Sequence, residues 1–175
     1  MNKNTFTEQF CNTICRLTQN KTYSNIIFLC IGTDRITGDT FGPLIGYKLK
    51  NNLKCNKYIN VLGDLNRTVS NENILEIVEY IRDNYKNPFI VSIDSALSTS
   101  RNIGDIIVQD KGIYLGSCVR NNRVYIGDMN IQGVVGKNTC VPSNNFKLLQ
   151  NTNLGIVMNM ADTVATGIIS AMQFE

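Results

Sequence analysis

Two runs, the continuous apolar IIFLCIG at residues 26–32 and FIVSI at 89–93, apolar but for Ser92, constrain the fold of this chain more than any other feature. A strand with one wet face alternates apolar and polar residues. A run without alternation is buried on both faces, as in a parallel sheet covered by helices. The segments between the runs agree. Pro43 suits the first turn of a helix over PLIGYKLKNNL, and YINVLG (58–63) reads as a second strand. Ser70 or Asn71 caps a helix to about Tyr85, with Ile74, Leu75, Ile77, Val78 and Ile81 as its apolar stripe. The first ninety residues therefore spell β-α-β-α-β. The third strand, FIVSID, is expected to stop at Asp94. Beyond it, DIIVQ (105–109), GIYLGS (112–117) and RVYIGDMNIQGVV (123–135) read as shorter strands, partly antiparallel at the sheet edge.

Helices complete the pattern. Phe6, Phe10, Ile14 and Leu17 have helical spacing, which places an N-terminal helix at about 5–19. A short helical stretch follows Asn144 and Asn145, and a last helix is expected over Leu154–Met172. There is no internal repeat, linker or low-complexity stretch. The 175 residues can bury one full core without a disulfide or metal staple. The expectation is a single domain, residues 1–175, with an α/β core over about 24–173. Its fold class is a three-layer α/β/α sandwich around a mostly parallel central sheet.

Composition then narrows the chemistry. The chain has no histidine. That excludes Ser-His-Asp and Cys-His catalysis, imidazole metal sites and a histidine pH switch. Acid–base work falls to carboxylates, thiols, lysines or tyrosines. A net charge of +3, with no basic run, argues against nucleic acid. Six cysteines without a Cys-x-x-Cys read as free thiols in a reducing compartment, with Cys118 and Cys140 as loop thiols. The start, MNKNTFTEQF, lacks the apolar region of a signal peptide, and no apolar stretch is expected to span a membrane. The expectation is a cytoplasmic protein with no membrane partner. Tyr114, Tyr125 and Met158 read as packing residues.

Ligands in open α/β sheets gather at the carboxyl ends of strands where strand order reverses. With strands one and three adjacent, the loop TDRITGD and the Asp94-Ser95 pair share one crevice, so Asp34, Asp39 and Asp94 are expected to face it. Asp39 could instead cap the following helix, and Asp34 with Arg35 could form a plain surface turn. Asp94 ends a buried strand, where a carboxylate is costly unless paired or functional. Gly32, Gly38, Gly42 and Gly46 form neither a dinucleotide fingerprint nor a phosphate loop, so no nucleotide cofactor is expected.

These same loops carry a resemblance. IGTDRITGDTFGPLIG, a strand ending in IDSAL, VYIGDMNIQGVV and LLQNTNLGIVMNMADTVATGI together resemble the YyaC family of sporulation proteins, over about residues 24–172. That family is related to the spore germination protease. The resemblance implies a phosphorylase/hydrolase-like fold, shared with the hydrogenase maturation proteases. It also implies an atypical aspartic endopeptidase acting on small acid-soluble spore proteins. The protease's Thr-Pro-Asp-Ala-Leu-Gly-Pro motif falls on Thr37-Gly38-Asp39-Thr40-Phe41-Gly42-Pro43. Its Ile-Asp-Ala-Leu motif falls on Ile93-Asp94-Ser95-Ala96-Leu97. The resemblance thus implies Asp39 and Asp94 as catalytic, with Asp34, Arg35, Thr37, Gly38, Gly42 and Ser95 supporting or binding substrate. The chain departs from the protease at Leu115–Asn121, which lacks the glycine-rich Pro-Gly-Ser-Gly-Val-Gly-Asn. It also lacks the nickel-reading histidine of the hydrogenase maturation proteases.

The function expected from this reading is a sporulation-associated peptidase in the forespore cytoplasm, with no cofactor and no metal. Its partner is a protein or peptide, and homo-oligomerisation is open on sequence alone. One alternative is a binding protein that keeps the fold without activity. Another is a hydrolase in which Asp34, Asp39 and Asp94 hold a hard cation such as Mg²⁺.

Overall fold

The computed structural model describes residues 2–115, 124–139 and 141–173. Cys118, Cys140 and all but the first residue of the Leu115–Asn121 segment lie outside them. The apolar runs form the centre of a five-stranded sheet. β1 (Ile26–Cys30) lies between β2 (Ile59–Leu62) and β3 (Phe89–Ser98), parallel to both. β3 also pairs in parallel with β7 (Met129–Lys137), whose other side takes β4 (Ile106–Gln109) antiparallel. The order is β2-β1-β3-β7-β4. β5 (Ile113–Leu115) and β6 (Val124–Ile126) form a separate antiparallel pair.

Both faces of the sheet are covered, and β1 alternates between two cores. Phe28 and Cys30 enter the larger one. That core also takes Phe6, Phe10 and Ile14 of α1 (Lys3–Thr18), Ile45 and Leu49 of α2 (Phe41–Asn52), and α5 (Leu154–Met172). Ile27 and Leu29 point the other way, toward Ile74 and Ile81 of α3 (Ile74–Asn84). This is the expected three-layer architecture. Buried Leu or Ile side chains of this kind each cost about 2–5 kcal/mol to truncate to Ala.

Four expectations are corrected. β3 does not stop at Asp94. Pairing with β7 carries it to Ser98, so Asp94 lies within the strand, opposite Gln132. The stretch read as one strand over 123–135 is two, because the chain turns at Gly127-Asp128 and Asp128 Oδ2 accepts the Ile90 amide at 2.9 Å. Met158 is exposed rather than packed. Finally, α5 is long and apolar enough to cross a membrane by length and composition, with a mean hydropathy of 1.4. Its apolarity has a local cause: Val157, Met160, Val164 and Ile168 are buried in the larger core, where α5 packs on α1 and α2.

α2 sits very close to the sheet where β1 ends. A Cβ on Gly42 would fall 2.1 Å from the carbonyl oxygen of Ile31, so only glycine permits this approach. The helix start is thereby fixed above the end of β1.

Candidate functional site

The site forms where β1 ends and β3 continues. Ile31 N–H donates to the Ile93 carbonyl at 2.7 Å, and Gly32 N–H donates to Val69 at 2.8 Å. The chain then turns back at Gly32, which has φ +139° and leaves no room for a Cβ beside the Asp39 carbonyl. Only glycine adopts that conformation without strain. A single 3-10 turn, Thr37–Asp39, closes the loop against β3.

This path brings Asp39 and Asp94 into one cleft of about 530 Å³. Its floor is Ile31 and Gly32. The loop after β1 contributes Thr33, Arg35, Ile36 and Asp39, and β3 contributes Asp94, Ser95 and Leu97. Ser95 touches both carboxylates. Its Oγ donates to Asp39 Oδ1 at 3.1 Å, and its amide donates to Asp94 Oδ1 at 2.8 Å. Asp39 does not cap α2. The N-cap position is Thr40, whose side chain makes no capping bond and instead donates to the Thr37 carbonyl at 2.7 Å.

The two carboxyls are both pushed upward. Asp94 rises to about 8, first through burial and then through the charge of Asp39, with the Ser95 amide opposing. Asp39 rises through burial, partly offset by the Ser95 hydroxyl and the Thr33 amide. Asp94 therefore holds a proton at neutral pH and can donate it. Asp39 has two groups that favour its ionised form where Asp94 has one, and it is the better base.

The remaining expected residues distribute differently. Asp34 does not enter the cleft. Thr33 Oγ1 accepts the Arg35 amide at 3.3 Å, and the turn so closed leaves Asp34 exposed and outside the lining. Arg35 lines the cleft in its place. Thr37 accepts bonds through its backbone and is not a lining residue. Gly38 is buried where a Cβ would meet Thr152 Oγ1 at 2.6 Å and the Leu149 carbonyl at 2.9 Å, which is a packing role. Gly42 acts through the close approach of α2. With Asp34 turned away, the three-aspartate cation site is not assembled, and no group of three metal-ligating side chains occurs among the described residues.

Sequence reasoning missed the far walls. Thr68, Ser70, Asn71 and Glu72 come from the loop between β2 and α3. Phe146 and Leu149 come from α4 (Pro142–Gln150), and Tyr114 comes from β5. Tyr114 is 69% exposed and tilts on Tyr125 with ring centroids 4.9 Å apart. It is a wall residue, not the packing residue expected. An exposed aromatic beside the cleft is a signal that only the assembled fold provides. Cys30, at the end of β1, is buried with its thiol pushed up by burial, so it is inert. Among the described residues Cys11, Cys15, Cys30 and Cys55 are free.

A solved [NiFe] hydrogenase maturation protease, HycI from Thermococcus kodakarensis KOD1, superposes with a TM-score of 0.56 at 18% identity. The match covers 91% of this chain and 98% of that one, and it shows a shared fold. The uncharacterized protein YyaC of Bacillus subtilis (strain 168) is 35% identical over 143 residues, covering 82% of this chain and 67% of the relative. The profile of the family described as "Protein of unknown function (DUF1256)" matches residues 1–167. The chain thus belongs to the YyaC family of proteins, DUF1256.

Proposed function

We propose that this protein is an endopeptidase that uses Asp39 and Asp94 as a coupled aspartic pair. The observation that carries the reading is the bridge through Ser95, which ties an Asp94 pushed up to about 8 to a second carboxylate in the same cleft. Two nearby carboxyls that cannot both ionise divide into an acid and a base. They titrate as a unit.

In this mechanism the Asp39 carboxylate removes a proton from a water held between the pair. The water oxygen attacks the scissile carbonyl carbon while Asp94 donates its proton to the carbonyl oxygen. The C–N bond then breaks as Asp39 returns the proton to the leaving nitrogen, and one hydroxyl of the intermediate gives its proton back to Asp94 as the carboxyl product forms. Every group the scheme uses is a carboxyl, a hydroxyl or a backbone amide, consistent with a chain that has no histidine.

The shared fold with a hydrogenase maturation protease is compatible with peptide-bond hydrolysis. The resemblance to the spore germination protease points to a role in sporulating cells. Small acid-soluble spore proteins in the forespore cytoplasm are then the substrates to try first. The test is cleavage of these proteins by the wild type, Asp39→Asn and Asp94→Asn. Loss of about 10²–10⁴-fold in either variant is expected for removal of a general acid or base. Equal activity in all three overturns the reading. Tight binding without cleavage by the wild type favours a binding protein that keeps the cleft.

A further inference from the structure

β3 has a free flank beside the carboxylate pair. Its odd-numbered residues turn their backbone groups toward β1: Phe89 N–H donates to Asn25 at 2.8 Å, and the Ile93 carbonyl accepts from Ile31 at 2.7 Å. Its even-numbered residues face β7, as the bonds from Asp128 to the Ile90 carbonyl and from Asn138 to the Ser98 carbonyl show. The β1 register ends at Cys30 opposite Ile93. Ser95 and Leu97 come next on that flank, and there is no strand beside them among the described residues. The next rung of a parallel ladder would join the Ser95 amide to Ile31. That amide instead donates to Asp94 Oδ1 at 2.8 Å. The carboxylate of Asp94 thus ends the β1–β3 ladder and leaves the Ser95 carbonyl and both Leu97 backbone groups facing the cleft.

We infer that an extended polypeptide occupies the lane vacated by β1, pairing its main chain with Ser95 and Leu97 as an added strand. The choice of a polypeptide occupant rests on the peptidase reading; the docking mode rests on the strand edge. Sheet edges are bound in this way because backbone bonds supply affinity and alternate side chains supply selectivity. The two faces of this lane differ in chemistry. On the side of the larger core, where Leu149 packs, the lane meets the apolar Phe146 and Leu149 of α4; on the side of the smaller core, where Ile113 packs, it meets Tyr114 of β5, with Asn71 and Glu72 from the loop before α3. Successive side chains of a strand point to opposite faces. The preferred segment therefore alternates an apolar residue with a polar one, and it must be locally unfolded to enter. The added strand runs past Ser95, which is bonded to both carboxyls, so its backbone passes the pair.

The test uses the Asp39→Asn protein, in which bound peptide is expected to stay uncut. Random displayed peptides of about 12 residues are selected against it. The best binder is synthesised and scanned with single backbone N-methyl groups. Methylation is expected to weaken binding about tenfold at alternate positions and to have no effect between them. Hydrogen exchange at the Leu97 amide is expected to slow about tenfold on binding. Phe146→Glu should abolish binding by placing a charge against the apolar face. A flat methyl scan, an unprotected Leu97 amide, or failure to select any binder that Phe146→Glu loses overturns the docking mode. Cleavage of the binder by the wild type together with a flat scan removes the docking mode and keeps the aspartic pair. An alternating scan without cleavage removes the aspartic reading and keeps the docking mode.

Discussion

Ser95 on β3 donates its hydroxyl to Asp39 Oδ1 at 3.1 Å, so a strand residue holds a carboxylate that belongs to the loop after β1. The same residue donates its amide to Asp94. Relative placement of the two carboxyls is thereby fixed by one residue rather than by loop packing alone.

Ser95→Ala removes only the hydroxyl half of this bridge. The hydroxyl lowers the Asp39 pKa, so its loss should raise that value further and move the acid limb of the pH–rate profile upward. Activity should fall about tenfold, in line with one lost charge-assisted hydrogen bond, and Ser95→Thr should restore the limb. An unchanged profile in Ser95→Ala contradicts the positioning role.

The pH dependence of peptide cleavage should be bell-shaped. The alkaline limb reports loss of the Asp94 proton and should lie near pH 8. The acid limb reports protonation of Asp39, whose value burial raises from that of an ordinary aspartate. Because the Asp39 charge helps to raise Asp94, Asp39→Asn should lower the Asp94 pKa. Carboxyl carbon NMR of labelled aspartate reads that shift without any substrate.

Asp94 should also set the pH dependence of stability. Its folded pKa of about 8 exceeds its unfolded value, so the folded state holds a proton that the unfolded state has lost between these pH values. Stability from this group is fully present below about pH 4 and declines as pH rises toward 8. Asp94→Asn removes the decline. At pH 8 the variant should melt several degrees above the wild type, about 2–6 °C for a gain near 1–2 kcal/mol. A variant less stable than wild type at pH 8 contradicts this assignment.

Asp64 behaves in the opposite sense. It is 4% exposed, paired with Lys50, and accepts the amides of Asn66 and Arg67 at 2.7 and 2.8 Å. Burial raises its pKa, but these partners outweigh burial and hold it below the usual carboxylate range. Its contribution is present above the unfolded value and lost as pH falls through the folded one. Asp64→Asn should cost about 1–3 kcal/mol, discounted because Lys50 is partly exposed. Denaturant midpoints of the two proteins should differ at pH 7 and draw together as pH falls through the acid range.

The layers of the fold were legible because burial on two faces leaves a local trace. IIFLC and FIVSI have no alternation, and each became a central strand. The end of β3 was not legible, since it depends on a partner strand more than thirty residues later. At the site, Asp39 in the loop after β1 and Asp94 on the neighbouring β3 put both near one crevice, although Asp94 lies inside its strand and not at the end. Asp34 could not be separated from them, because its outward direction follows from a turn closed by the Thr33 hydroxyl. Tyr114 and Phe146 reach the cleft from elements remote in sequence, and neither has a local pattern that marks it.

Gly42 leaves no space between α2 and β1, whereas α4 has no buried residue at all. Stability is consequently uneven around the cleft. The floor at Ile31 and Gly32 should open only with the global fold, while α4 should open at smaller local cost. Hydrogen exchange should divide along that line. Adaptation to different bound segments falls to the wall that carries Phe146 and Leu149, with the carboxyl pair as the fixed reference against which it moves.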